Sequence, residues 1–161
     1  MANVITRGLS WYLSRYSFGE ETGHTMKLRL YEGIAAVPAG GTYDYLYTNF
    51  TELTSCGGYT AGGKTLDQDG TTSWYLPAPS STNGPDATAL GYGKQYIQCK
   101  DEMLWTFTEE APNTSHIPLG YYVVVQAPTG GTWYLLWYEV YTFPKAPMWN
   151  DTYKVTPRIE I

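Results

Sequence analysis

Leu119-Gly-Tyr-Tyr-Val-Val-Val-Gln126, Ala127-Pro-Thr-Gly-Gly131 and Thr132-Trp-Tyr-Leu-Leu-Trp-Tyr-Glu-Val-Tyr-Thr-Phe143 form the stretch that decides the fold. Two runs of β-branched and aromatic residues flank a loop containing one Pro and two Gly. That is the chemistry of two antiparallel strands joined by a tight reversal. The same reading extends outward in both directions. Upstream, Met26-Lys-Leu-Arg-Leu-Tyr31 alternates with a period of two and turns Met26, Leu28 and Leu30 inward. Downstream, the tail Thr152-Tyr-Lys-Val-Thr-Pro-Arg-Ile-Glu-Ile161 alternates as well. Tyr153, Val155, Ile159 and Ile161 fall on one side, and Lys154, Thr156, Arg158 and Glu160 on the other.

Further strands are expected at 64–67, 73–76, 92–99 and 103–109. The last two read as a hairpin turning at Lys100-Asp-Glu102, with Met103, Trp105 and Phe107 on one face. Residues 32–47 read as a turn-rich loop, and 77–86, rich in Pro, Ser and Gly, as an exposed one. Ile5, Leu9, Leu13 and Tyr16 recur at spacings of four, four and three, which predicts an amphipathic N-terminal helix over 4–17. Asn3 or Thr6 would cap it, and Gly19 with Gly23 would end it. Leu9 and Leu13 then either plug one end of the sheet structure or dock on a neighbouring subunit. The expected architecture is mainly β: one antiparallel β-sandwich domain over 1–161, jelly-roll-like, with that single helix.

Composition narrows the function classes. A chain of 161 residues has enough surface to bury for one stable core. Its net charge of −5, with ten Lys and Arg together, offers no basic stripe for nucleic acid. No apolar run approaches the roughly 20 residues of a spanning helix, so no membrane partner is expected, and the N-terminus lacks a secretory leader's apolar region. Cys56 and Cys99 are expected to remain thiols, and the sequons at Asn49, Asn113 and Asn150 to be incidental. Sixteen Tyr and six Trp exceed what a core requires. They suit contact with a protein or glycan, and equally cross-strand pairing within a sheet.

Motifs with chemical potential dissolve on inspection. Gly58-Tyr-Thr-Ala-Gly-Gly63-Lys64-Thr65 matches the phosphate-loop pattern. Phosphate binding, however, needs a buried strand before the loop and a helix after it. Here the context predicts a Gly-rich connection into a strand. Asp67-Gln-Asp-Gly70 begins like a calcium loop, but Ala78 stands where the bidentate Glu belongs. His24 and His116 read as solvated loop residues, so neither a metal nor a cofactor is expected. The neighbouring acids Glu20-Glu21, Asp101-Glu102 and Glu109-Glu110 point apart on extended backbone and form no acid/base pair. No catalytic residue is assigned, and the chain reads as a non-enzyme. Trp133, Trp137 and Tyr141 share one face of a regular strand, with Glu139 between the last two. On the reading taken here Leu136, Tyr138 and Val140 face the core, leaving the aromatic row as a contact surface.

The order of the segments carries a resemblance. An N-terminal helix precedes Met26-Lys-Leu-Arg-Leu-Tyr-Glu-Gly33, Asn49-Phe-Thr-Glu-Leu53, Gly58-Tyr59 and Lys64-Thr-Leu66. Trp105-Thr-Phe107, Leu119-Gly-Tyr-Tyr-Val-Val124, Leu136-Trp-Tyr-Glu139 and Val155-Thr-Pro-Arg-Ile-Glu-Ile161 follow. This arrangement resembles small single-domain virion structural proteins of tailed bacteriophages. The resemblance implies a β-rich protein made in the host cytoplasm and carried on the particle surface. Its expected role is capsid decoration (a cement protein), bound as a homotrimer to the major capsid protein. The alternative is a tail or fibre component that contacts tail proteins or host glycans. The interface residues expected from the sequence are Leu9, Leu13, Trp133, Trp137 and Tyr141.

Overall fold

A computed structural model describes residues 3–5, 25–34, 47–66, 74–75, 96–99, 102–108, 115–126 and 133–160. The described residues are mainly β, in antiparallel sheets. Eleven strands occur among them: β1 (Asn3–Ile5), β2 (Thr25–Ile34), β3 (Phe50–Glu52), β4 (Lys64–Leu66), β5 (Trp74–Tyr75), β6 (Tyr96–Cys99), β7 (Met103–Thr106), β8 (Gly120–Gln126), β9 (Trp133–Val140), β10 (Thr152–Val155) and β11 (Arg158–Glu160). A single 3-10 turn at Tyr47–Asn49 precedes β3. The chain forms two compact units, one built from 1–66 and 105–152, the other from 67–104 and 153–161.

The first unit is organised on a sheet of order β1-β9-β8-β2-β3, with β4 also on β2. The two expected hairpin strands pair with each other: β8 and β9 run antiparallel from Gly120↔Val140 to Gln126↔Trp133, with β9 ending at Val140 rather than Phe143 and the 127–131 reversal outside the described residues. β8 pairs along its other edge with β2 over Thr25–Tyr31. The far edge of β2 is shared in tandem by β4, on Met26–Leu28, and β3, on Tyr31–Ile34.

Both faces of this sheet are buried, which explains why Tyr121-Tyr-Val-Val-Val125 shows no alternation of apolar and polar residues. Residues paired across antiparallel strands share a face. One face carries Tyr31, Tyr122, Val124, Leu135 and Tyr138, joined by Phe50 into an aromatic-rich cluster. Phe50 stacks on Tyr122 with centroids 4.9 Å apart and meets Tyr31 and Tyr138 edge-on at 5.0 and 5.1 Å. The other face carries Met26, Leu28, Leu30, Val123, Val125 and Trp137, with Met26, Leu28 and Leu30 inward as the alternation predicts. Part of the aromatic surplus is therefore core.

Several expectations are corrected. The N-terminal helix does not begin at Val4, because Asn3–Ile5 pairs with Trp137–Glu139 of β9 as a strand. Positions 6–17, including Leu9 and Leu13, lie outside the described residues, as do the 77–86 loop, the 67–70 turn and His24. The β6 and β7 segments are strands but not each other's partners. β6 pairs with β5 and β11 in the second unit, while β7 forms a two-stranded ribbon with β10. The tail is two strands rather than one. Buried Pro157 lies at the break, and its carbonyl accepts the Cys99 N–H at 2.8 Å.

Candidate functional site

Three local clusters of polar side chains, around Glu52, Glu32 and Glu139, lie among the described residues of the first unit. Glu52, at the end of β3, accepts the Tyr59 hydroxyl at 2.8 Å and the Gly62 N–H, and faces Arg29 at 3.4 Å. The Tyr59 oxygen in turn accepts the Leu30 N–H at 3.2 Å. Burial, reinforced by the adjacent Glu52 carboxylate, pushes the Tyr59 phenol far up. These bonds fold the phosphate-loop look-alike into a brace. Cys56 and Tyr59 close a turn, Gly58 and Gly63 have φ of 95° and 66°, and the chain leaves through Lys64–Leu66 as a strand. No helix follows, so the dipole and amides a phosphate needs are not assembled. The glycines are there because backbone passes close by. A Cβ on Gly58 would run into the Thr106 carbonyl oxygen, and one on Gly63 into that of Leu28.

Glu32 occupies a bulge. Tyr31 pairs with Glu52 and Gly33 with Thr51, so Glu32 is the extra residue of β2 and its side chain leaves the alternation. Its carboxylate meets His116 Nδ1 at 2.8 Å and accepts the Thr54 hydroxyl at 2.9 Å and amide at 3.4 Å. Burial raises the Glu32 pKa, but the His116 and Thr54 hydrogen bonds outweigh it and hold the carboxyl below its ordinary value. His116 is thus not a solvated loop residue, as the sequence suggested. It is one-third exposed and ties the approach to β8 onto the end of β2.

A second bulge decides the fate of the aromatic row. Val123 pairs with Trp137 while Val124 pairs with Leu135, so Leu136 is the extra residue in β9. The insertion puts Trp133 and Trp137 on opposite faces, and the row predicted from regular alternation does not exist. Trp137 is fully buried, and so are Leu136 and Tyr138. Tyr141 is half-buried just beyond the strand. Trp133 is half-buried against the aromatic cluster, with the Arg29 guanidinium 4.9 Å and the Lys27 amine 5.7 Å from its ring centroid. Val140, expected inward, is exposed. Glu139 is buried beside Trp137 rather than at an exposed patch, and accepts the Tyr121 hydroxyl at 2.8 Å.

The exposed large apolar residues gather elsewhere. Four of the five among the described residues lie between the last residue of β9 and position 149: Val140 at 46% exposure, Phe143 at 88%, Met148 at 53% and Trp149 at 61%. The loop that carries them is braced at both ends. Tyr141 N–H donates to Leu119 O at 2.9 Å; Asn150 N–H donates to Phe107 O, and Phe107 N–H to Asp151 O, each at 2.9 Å. Asp151 closes it by accepting Met148 N–H at 3.0 Å and the Lys145 amine at 3.2 Å. The Met148 amide bond and then the Lys145 amine hold the Asp151 carboxyl below its ordinary range. The sequence reading assigned this segment no role; the adjacent pair Met148-Trp149 between Pro147 and Asn150 was the available signal.

Among the described residues no group of three or more His, Cys, Asp and Glu is placed to hold a metal, and no helix is long and apolar enough to cross a membrane. Cys56 is half-buried and Cys99 buried, and neither is in a disulfide. No family model, no curated protein and no solved structure matches this chain.

Proposed function

We propose that this chain is a non-enzymatic structural protein of a phage particle, a capsid decoration protein that stabilises the head lattice. The observation that supports this reading is the braced apolar loop at 140–151, which presents Phe143, Met148 and Trp149 to solvent. Large apolar side chains exposed together on one braced segment suit a contact surface. The three polar clusters, by contrast, are spent on holding strands and loops together. In this reading the sheets belong to a jelly-roll-like sandwich, and the partners are the major capsid protein and further copies of the chain. Repeated sites of modest strength around a symmetry axis then gain avidity.

The test is to prepare particles with and without the protein. Depleted particles should assemble but release their genome at lower temperature or under milder osmotic shock, and complete particles should carry the chain at a copy number matching the capsid lattice. A chain absent from particles, or equal survival of both kinds, would overturn the proposal. A low copy number confined to tails would transfer the protein to the tail, where Trp149 would meet host glycans instead.

A further inference from the structure

Charge is unevenly shared over the sheet face that carries the aromatic cluster. Strand pairing places Lys27 and Arg29 of β2 on that face with Glu52 of β3. Glu52 faces Arg29 at 3.4 Å, and among the described residues no carboxylate pairs with Lys27. The Lys27 amine and the Arg29 guanidinium converge instead on the Trp133 ring, 5.7 and 4.9 Å from its centroid. Among the described residues of this face, two cations thus share one carboxylate, which leaves a positive charge in surplus on a chain whose net charge is −5. We propose that this end of the face binds an acidic saccharide, a sugar ring bearing a carboxylate, and that Lys27 meets the carboxylate.

The surroundings of Lys27 suit such a ring. Thr25 pairs with Gln126 and Gln126 with Trp133, so these three side chains stand in a row across β2, β8 and β9. Thr65 lies opposite Lys27 on β4. Thr25, Lys27, Gln126 and Trp133 are half-buried and Thr65 is exposed, whereas Val124 and Leu135 on the same face are fully buried. Two hydroxyls and an amide offer donors and acceptors to sugar hydroxyls, and the indole offers an apolar surface to sugar C–H groups. The backbone beneath is held, because over Met26–Leu28 β2 is paired on both edges, with β8 and with β4. Side chains fixed in this way lose little freedom on binding.

The same features weigh against other anions. One surplus cation cannot neutralise the successive phosphates of a nucleic acid. An extended acidic peptide docks best by adding to a free strand edge, and over Met26–Leu28 β2 has none. Arg29 is engaged by Glu52, so the incoming carboxylate meets a single ammonium rather than a bidentate fork. The site uses no residue of the 140–151 loop, and it adds a ligand to the decoration reading rather than restating it.

The experiment is titration of the full chain with oligomers of galacturonate and of mannuronate, followed by calorimetry and tryptophan fluorescence. The methyl ester of each oligomer, which keeps the ring and loses the charge, and a glutamate peptide of equal charge serve as comparisons. At least one acid oligomer should bind, and salt should weaken it. Its ester should bind about tenfold or more weakly, as loss of a charged hydrogen bond implies. Lys27→Gln should lower affinity for the acid by about the same factor and leave the ester unaffected, while Lys27→Arg keeps most of the binding. Gln126→Ala should weaken acid and ester alike. Melting curves report whether each variant folds, and the comparison of acid with ester needs no variant. Equal affinity for acid and ester, acid binding unchanged in Lys27→Gln, or no binding of either acid would each overturn the proposal. A glutamate peptide bound as tightly as the sugar acid, with the same loss in Lys27→Gln, would overturn it in favour of an acidic protein segment. Every outcome is read on the isolated chain, so the decoration reading stands or falls separately.

Discussion

Trp133 and Trp137 are four positions apart yet lie on opposite faces of the sheet, and one inserted residue is responsible. A period-two reading assigns faces by counting, and counting fails at Leu136, where two residues of β9 oppose one of β8. Nothing in the local residue types announces that bulge. Glu139 was the legible warning, because a charge in an aromatic strand must either be exposed or find a partner. It found Tyr121. The consequence is measurable. Trp137→Ala empties a fully buried site and should cost about 3–5 kcal/mol. Trp133→Ala removes a half-buried ring with two cations over it, and should cost on the order of 1 kcal/mol beyond its lost packing. Chemical denaturation of both variants checks the ranking, and a Trp137→Ala protein as stable as the wild type would contradict the bulge. Glu32 gives a pH-dependent case. Its folded pKa lies below its unfolded value, so its contribution is complete above the ordinary Glu value of about 4.3 and is lost as pH falls through the lower folded value. The stability gap between wild type and Glu32→Gln should accordingly narrow as pH drops from about 5 to about 3, and a constant gap would show that the carboxylate is not favoured by His116 and Thr54.

At the scale of elements, local pairing was legible and distant pairing was not. The β8–β9 hairpin followed from two strand-like runs and a Gly-rich reversal, all within one stretch of sequence. β6 and β7 looked like a second hairpin for the same reasons, yet each takes a partner from the C-terminal segment. The choice between a neighbour and a distant strand depends on which faces are covered, and neighbouring residues do not encode that. Pro157 was visible as a break in the final strand, and its position between β10 and β11 is what lets the tail serve two different sheets. The Gly58–Lys64 segment shows the converse, a famous pattern of residues whose context alone excludes phosphate. Its glycines answer to backbone proximity, so substituting them should act on folding. Gly58→Ala forces an unfavourable φ and drives a Cβ into the Thr106 carbonyl, so the loss should exceed the roughly 1 kcal/mol of a Gly-to-Ala change that only strains the backbone. Gly62→Ala has the same positive φ but open space around it, and should be the milder of the two. Equal melting temperatures for these two variants would mean that the contact with Thr106 is not maintained in solution.

For the molecule as a whole, the use of tyrosine as core material predicts how it fails in alkali. Sixteen tyrosines are spread along the chain. Tyr31 is almost completely buried, and burial, helped by Tyr138 and Glu139, pushes its pKa up to about 12. Burial also raises Tyr138, and Tyr59 is raised further still. For each, the folded pKa lies above the unfolded value near 10. The folded state therefore keeps protons that the unfolded state would release, and stability is complete below about pH 10 and is lost as pH rises toward the folded values. All three belong to the first unit, and Tyr31 and Tyr138 share one aromatic cluster. Their ionisation should not be gradual, because a phenolate cannot be accommodated there without opening the sheet. A spectrophotometric titration should show exposed tyrosines ionising smoothly near pH 10, followed by a steep step at higher pH that coincides with loss of the β-sheet circular dichroism signal. Return to neutral pH immediately before the step should recover the native spectrum. If every tyrosine titrated along one smooth curve near pH 10 while the sheet signal persisted, the buried aromatic cluster would not be the core of this protein.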